Sequence, residues 1–422
     1  MTVTVTRFAL ASLAAMLLCC ALPVRGQDAA LPDGPGKDLV QASCSSCHGL
    51  GTVTRAGYDR AGWSNVVAMM TNAGMKLPAN RVDAVVDYLT AHFPAKSAPS
   101  AVVVPGKVNV AIQEWVVPTA GSRPHDPLAA PDGSIWYTGQ MANVLGRLDP
   151  KTGTFKEFRA TVADSGPHGL VMDGAGNVWF TANFKAYIGK LDPRTGTFTE
   201  YKLDPAARDP HTPIFDRNGT LWFTAQGANM VGRLVPKSGE TKLVTVPTPR
   251  SNPYGMVVDS KNVPWFVEFG SNKIASVDPL SMAIREYPLP NAGARPRRIA
   301  IDGNDVMWYS DHARGYLGRF DPKTGAVTEF ASPGGPNSRP YGIAFLNGAV
   351  WYSESGVAPN TLVRFDPAAR TFQTWTIPSG GGVVRNMMVT TDGKDLVLAC
   401  SGVNRVALVQ VARDQARNPA TR

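Results

Sequence analysis

Residues 167–201 read PHGLVMDGAGNVWFTANFKAYIGKLDPRTGTFTEY. The stretch holds four short apolar runs. PHGLVM ends at Asp173-Gly174, VWFTA follows, YIGKLD ends at the Pro-containing turn DPRTG, and TFTEY closes the unit. Aromatic and β-branched runs cut by Gly, Pro, Asp and Asn read as strands joined by tight hairpins. The unit recurs along the chain. Trp136, Trp179, Trp222, Trp265, Trp308 and Trp351 stand 43 residues apart, each followed by an aromatic and usually a small hydroxyl residue. A lone four-stranded unit cannot cover both its faces, so repeats of this length stack radially as propeller blades. A seventh unit, Val383 to Val411, carries Val397 where the others carry Trp and stops after its third strand. Val108 to Val117 (VNVAIQEWVV) supplies the missing outer strand. The pattern predicts an all-β, seven-bladed propeller over residues 108–411, closed by strands from both ends and leaving no exposed sheet edge.

A different pattern precedes it. Residues 33–95 read as a small all-α unit. Cys44-Ser45-Ser46-Cys47-His48 is a C-x-x-C-H motif, the signature of covalent c-type haem attachment. Two thiols at this spacing reach the two vinyl groups of one porphyrin, and the adjacent His48 lies under the iron as axial ligand. Gly62-Trp63 opens an amphipathic helix with Met69 and Met70 on it and Met75 beyond. Trp63, Met70, Gly74 and Leu77 resemble the Trp, Met and Gly-x-x-Leu pattern of small cytochrome c modules, which implies Met70 as the sixth ligand, with Met75 second. Asn80 to Phe93 is a closing helix with Val82, Val85, Val86 and Leu89 on one face. His92 at its end reads as a solvated residue. So small a unit has a marginal apolar core, and a buried haem would supply much of its stability.

The flanks set the context. Arg7 followed by the apolar run Phe8–Leu22 and Val24-Arg25-Gly26 reads as a secretory signal peptide over residues 1–26. Leu17 and Leu18 before Cys19 and Cys20 disfavour a lipid-anchored cysteine. The expected location is the periplasm, with no membrane span. Residues 96–107, rich in Pro, Ser and Ala, read as a semi-rigid linker, and residues 412–422 as a tail. The 422 residues are 44% hydrophobic and 18% charged, which argues against a disordered chain. Gly (41) and Pro (34) are frequent but follow no triplet period, which excludes collagen. The net charge of +9 comes without a Lys/Arg run, so nucleic acid is not an expected partner. Of five Cys, two leave with the leader, two lie in the haem motif and Cys400 stands alone, so disulfides do not hold the chain.

Aligning the blades picks out the channel mouth. The first strands begin with His125, His168, His211, Tyr254, Arg297, Tyr341 and Asn386. The positions after the Trp triplets are Gly139, Ala182, Ala225, Glu268, Asp311, Glu354 and Cys400. Three adjacent blades thus present His, and the next three present carboxylates. Half of the six His occupy one repeat position. Such His suit a general base, a metal ligand or a polar ligand contact, and the carboxylates suit a hard cation or acid–base work. Cys400 reads as a small core residue. Arg123, Arg250, Arg295, Arg297, Arg298, Arg339 and Arg385 are all expected in loops leading into the first strands. They describe an anion-attracting mouth, fit for a carboxylate-bearing small molecule or an acidic redox partner.

The units Pro167–Tyr201 and Pro253–Pro279 resemble the streptogramin B lyase (virginiamycin B lyase) propeller, and residues 33–95 resemble a cytochrome c module. The propeller resemblance implies elimination that opens a cyclic depsipeptide, with His211 as base, His168 as substrate contact, Asp209 as an acid two residues before the base, and a magnesium ion. Pro210-His211-Thr212 departs from the family's Pro-His-Gly, and Ala225 stands where a second acid is expected. Haem c has no part in a redox-neutral elimination. The expectation is therefore an exported c-type haem protein that transfers electrons and binds a small molecule or a periplasmic redox partner at the channel mouth. The alternatives are a magnesium-dependent C–O lyase and a non-catalytic docking module.

Overall fold

The computed structural model describes residues 30–412. The signal peptide expected over 1–26 and most of the tail lie outside the described residues. Four α-helices come first: α1 (Lys37–Cys44), α2 (Gly51–Thr54), α3 (Arg60–Asn72) and α4 (Val82–His92). Asp59 caps α3 by accepting from the Gly62 N–H at 2.8 Å. The helices bury Val40, Trp63, Val67, Val85, Val86 and Leu89 together. Trp63 Nε1 donates to the Phe93 carbonyl at 2.8 Å and so ties α3 to the end of α4.

Seven four-stranded antiparallel sheets follow. Six are continuous in sequence, with first strands Pro124–Ala129, Pro167–Met172, Pro210–Phe215, Pro253–Val258, Pro296–Ile301 and Pro340–Leu346. The seventh runs from Val384 to Val411, and its outer strand is Val110–Val116, paired Val110 to Val411 through Val116 to Arg405. The ring is closed by strands from both ends of the propeller sequence, which removes a free edge.

The repeated residues hold the blades by repeated bonds. Asp173, Asp216, Asp259 and Asp302, six positions before a Trp, each accept the indole N–H of that Trp at 2.8–3.2 Å. The same carboxylates accept backbone N–H groups of their own turns, as at Asn218 and Thr220 for Asp216. Gly189 of the third strand lies under the Phe180 ring, where an added Cβ would come within 2.1 Å of the ring. Apolar clusters then bridge neighbouring blades, as where Trp136 and Leu145 meet Leu170 and Phe180.

The segment over 96–107 is less free than a spacer. Ser100 bridges Ala358, and Thr374 of the sixth blade both accepts from the Val104 N–H at 2.7 Å and donates to the Val104 carbonyl at 3.0 Å. No helix among the described residues is long and apolar enough to cross a membrane.

Candidate functional site

The C-x-x-C-H motif sits at the end of α1. Cys44 is the last helical residue, and Cys47 and His48 occupy the turn beyond it. Both thiols are free, and burial raises the Cys44 thiol above its ordinary value. A cavity of about 560 Å³ opens against them, lined by Cys44, Cys47, His48, Trp63, Met70 and Met75 with further apolar side chains of α2, α3 and α4. His48 Nδ1 lies 3.2 Å from the Gly49 carbonyl. A ring that donates there keeps Nε2 for a metal. The donor set is two thiols, one imidazole nitrogen and thioether sulfurs on an apolar wall, and it fits a covalently attached haem. Met69, Met70 and Met75 all line the cavity, so position alone does not choose between them. His92 ends α4 with its ring 4.4 Å from Tyr88 and is not among the cavity's lining residues.

α3 rests on the propeller. Asn65 Nδ2 donates to the Gly402 carbonyl at 2.9 Å, and Asn72 Nδ2 to the Ala120 carbonyl at 2.8 Å. Gly121 lies so close to the Ala68–Met69 backbone that a Cβ would come within 2.4 Å of the Met69 nitrogen. The Met-bearing helix is thereby seated over the junction of the first and seventh blades.

Inside the ring, His125, His168, His211 and Tyr254 form one row, with successive ring centroids 3.5, 3.8 and 3.9 Å apart. The hydroxyl of the Trp triplet in the preceding blade positions the last three of them. Thr138 donates to the His168 carbonyl at 2.8 Å, Thr181 to the His211 carbonyl at 2.7 Å and Thr224 to the Tyr254 carbonyl at 2.8 Å. Each hydroxyl also accepts from the first strand of its own blade, where the backbone bulges, as from the Gly169 N–H to Thr181 at 2.8 Å. One hydroxyl thus fixes two neighbouring first strands. The three His are at most 3% exposed. Burial, reinforced by neighbouring His and Arg, holds all three imidazoles well below their ordinary pKa, so they are neutral.

The charged residues are placed differently from the repeat alignment. The Cα partner of Gly139, Ala182, Ala225, Glu268, Asp311, Glu354 and Cys400 is the residue one or two before the channel residue, as Pro253 is for Glu268 and Val384 for Cys400. Glu354 accepts from Ser332 Oγ, the Gly334 N–H and Thr361 Oγ1 at 2.5–2.6 Å. Asp311 takes the Arg295 N–H at 3.0 Å and Arg314 Nη1 at 3.1 Å. Glu268 holds Ser271 Oγ at 2.7 Å, and burial raises its carboxyl to about 7. Glu268 and Asp311 are bonded inside their blades, and Glu354 is also bonded to the segment arriving from the fifth blade. Asp209 sits at φ 60, its carboxyl raised by burial to about 6, and accepts from Asn183 Nδ2. Cys400 is buried. Arg297, Arg298 and Arg385 belong to strands and not to rim loops. Arg297 lies 3.8 Å from the Tyr341 ring centroid and 3.0 Å from His312 Nε2. Arg298 Nη2 reaches Asp126 Oδ1 at 2.7 Å across the ring.

Asp126 went unread in the sequence, and Arg298 was read only as one of the mouth arginines, not as its partner. A signal was there: the residue after the channel position is charged in two blades only, Asp126 in the first and Arg298 in the fifth, with opposite signs. The ligand atoms of His125, Asp126 and His168 lie within 4.8 Å of one another. Magnesium demands hard oxygen ligands, whereas this group offers one carboxylate, already paired with a guanidinium. Ala225 supplies no second acid, and Asp209 is engaged by Asn183. The residues present do not fit a magnesium ion.

Residues 101–365 match the model of the virginiamycin B lyase family. A solved streptogramin B lyase is similar at 28% identity and a TM-score of 0.66, over 72% of this chain and 98% of that one. Virginiamycin B lyase from Staphylococcus aureus is similar at 24% identity and a TM-score of 0.66, over 72% of this chain and 100% of that one. Kuenenia stuttgartiensis hydrazine synthase matches at 12% identity and a TM-score of 0.60, over 69% of this chain and 97% of that one. The last two speak for the fold alone. None of the curated proteins matches the sequence.

Proposed function

The chain belongs to the virginiamycin B lyase family, and from that premise we propose that this member is an exported, periplasmic c-type haem protein that passes single electrons. Its propeller would receive a small anionic molecule or a redox partner at the channel mouth. The observation that carries this reading is the cavity that brings Cys44, Cys47 and His48 against Met70 and Met75. Cys44 and Cys47 would hold the porphyrin through thioethers. His48 Nε2 and Met70 would be the ligands that hold its iron, with the Gly49 carbonyl orienting the imidazole. When bound, haem c supplies a one-electron couple. Trp63 and Val67, both nearly unexposed, wall the slot with apolar surface, and Met ligation would raise the potential relative to a pair of His ligands. The test is the absorbance spectrum of the purified exported protein, oxidised and reduced. Sharp c-type bands on reduction support the reading, and a spectrum without them removes it.

A second reading is C–O lyase activity on a cyclic depsipeptide, favoured by the family match and by the likeness to a streptogramin B lyase. Neutral His211 has the protonation state of a base. The missing second acid at Ala225 and the Arg298–Asp126 pair speak against the magnesium chemistry. Linearisation of a streptogramin B, lost in His211→Ala, would favour this reading. A third, a propeller that only docks the haem unit to another protein, predicts neither substrate-linked reduction nor depsipeptide opening.

A further inference from the structure

The haem cavity is not built by the helical unit alone. Its far wall carries Arg123, Met141 and Arg385 of the propeller. Arg123 leads into the first strand of the first blade, and Arg385 lies in the first strand of the seventh. Both therefore flank the junction on which α3 rests. Among the described residues neither guanidinium takes part in an ion pair. Arg385 Nε is buried without a hydrogen-bond partner. Arg123 is held at φ 55, with its own N–H donated to Asn404 Oδ1 at 3.3 Å. Burial and the nearby Arg385 charge push Arg123 down to about 10.

Two partly buried cations side by side, with no carboxylate between them, repel each other and forgo the hydrogen bonds of water. A dianionic ligand relieves both costs, and guanidinium pairs with carboxylate by two parallel N–H···O bonds. The rest of the cavity is apolar and carries the haem motif. A haem has that division of character, an apolar ring with two carboxylates on one edge. We propose that Arg123 and Arg385 complete the haem pocket from the propeller side and bind the two haem propionates. This rests on the haem reading above. It makes the propeller part of the haem site and couples the charge at the channel mouth to the iron.

The experiment uses the full chain matured with its haem, and compares Arg123→Gln, Arg385→Gln and the double variant with Arg123→Lys. Arg339→Gln is the control, since Arg339 is exposed, holds the corresponding position in the sixth blade and does not line the cavity. Removing a positive charge beside the iron favours the oxidised state. The double Gln variant should keep one covalent haem per chain and shift the oxidised-to-reduced ratio at fixed potential about tenfold toward oxidised, about 59 mV for one electron. Arg123→Lys should restore most of the wild-type ratio, and Arg339→Gln should leave it within twofold. Wild-type ratios in the double Gln variant, with haem attached, overturn the propionate assignment alone. A wild-type chain without covalent haem overturns the reading on which it rests.

Discussion

Arg298 Nη2 lies 2.7 Å from Asp126 Oδ1, joining the fifth blade to the first across the interior of the ring. Both side chains are 4% exposed. His125 Nδ1 adds a contact to the same carboxylate at 2.9 Å. A pair this deep gains much of its worth from not being broken, because a surviving single charge has no water to turn to.

Arg298→Met or Asp126→Leu alone should therefore lower stability by about 3–5 kcal/mol. The double variant, with no charge left unpaired, should recover most of it. Thermal unfolding of the three proteins measures this. Equal midpoints in both single variants and wild type contradict it.

Thr181→Val keeps the shape of the side chain and removes one hydroxyl. It leaves the Gly169 N–H and the His211 carbonyl without their partner. Two buried backbone groups lose a bond, so the expected loss is about 1–3 kcal/mol, with the His211 signals moved in an NMR spectrum. A change below about 0.5 kcal/mol would contradict the view that the triplet hydroxyl joins the blades.

Glu268 gives a pH dependence with a definite sign. Its carboxyl is raised from the ordinary 4.5 to about 7, burial being the main cause. The folded protein binds this proton more tightly than the unfolded chain. The stabilisation is complete below about pH 4.5 and is lost as pH rises through about 7. Glu268→Gln removes the titration, so it should stabilise the protein by about 3 kcal/mol at pH 9 relative to wild type. The difference should vanish near pH 4. Melting curves across that range test it, and a pH-independent difference would count against it.

Met70 and Met75 line the same cavity, and on the proposed haem reading the resemblance to small cytochrome c modules implies Met70 as the iron's ligand. Met70→Ala should remove the charge-transfer absorption of Met-ligated iron and lower the reduction potential. Met75→Ala should keep both. The reverse pattern would move the ligand to Met75.

The seven blades and their closure were legible because one residue, Trp, recurs at one spacing, and because Val108–Val117 fits the strand that the seventh unit lacks. The row of His125, His168 and His211 was legible for the same reason, since equivalent repeat positions must line one ring. The partners of Glu268, Asp311 and Glu354 were not legible. Repeat position tells which end of a strand a carboxylate occupies, but Ser271, Arg314 and Ser332 claim these acids from loops that differ from blade to blade. The connector's attachment to Thr374 was also hidden, because its Pro, Ser and Ala composition describes a free chain and carries no sign of an outside partner. Arg123 and Arg385 read as rim charges because nothing in the propeller repeat records that a helical unit sits above them.

Intact-mass measurement of the exported wild-type protein beside Cys44→Ser/Cys47→Ser tests the central claim most directly. The wild-type chain should be heavier than its processed polypeptide by one haem, and the double variant should weigh no more than the polypeptide. A wild-type mass equal to the bare polypeptide, from cells that attach haem to other c-type proteins, would contradict the account.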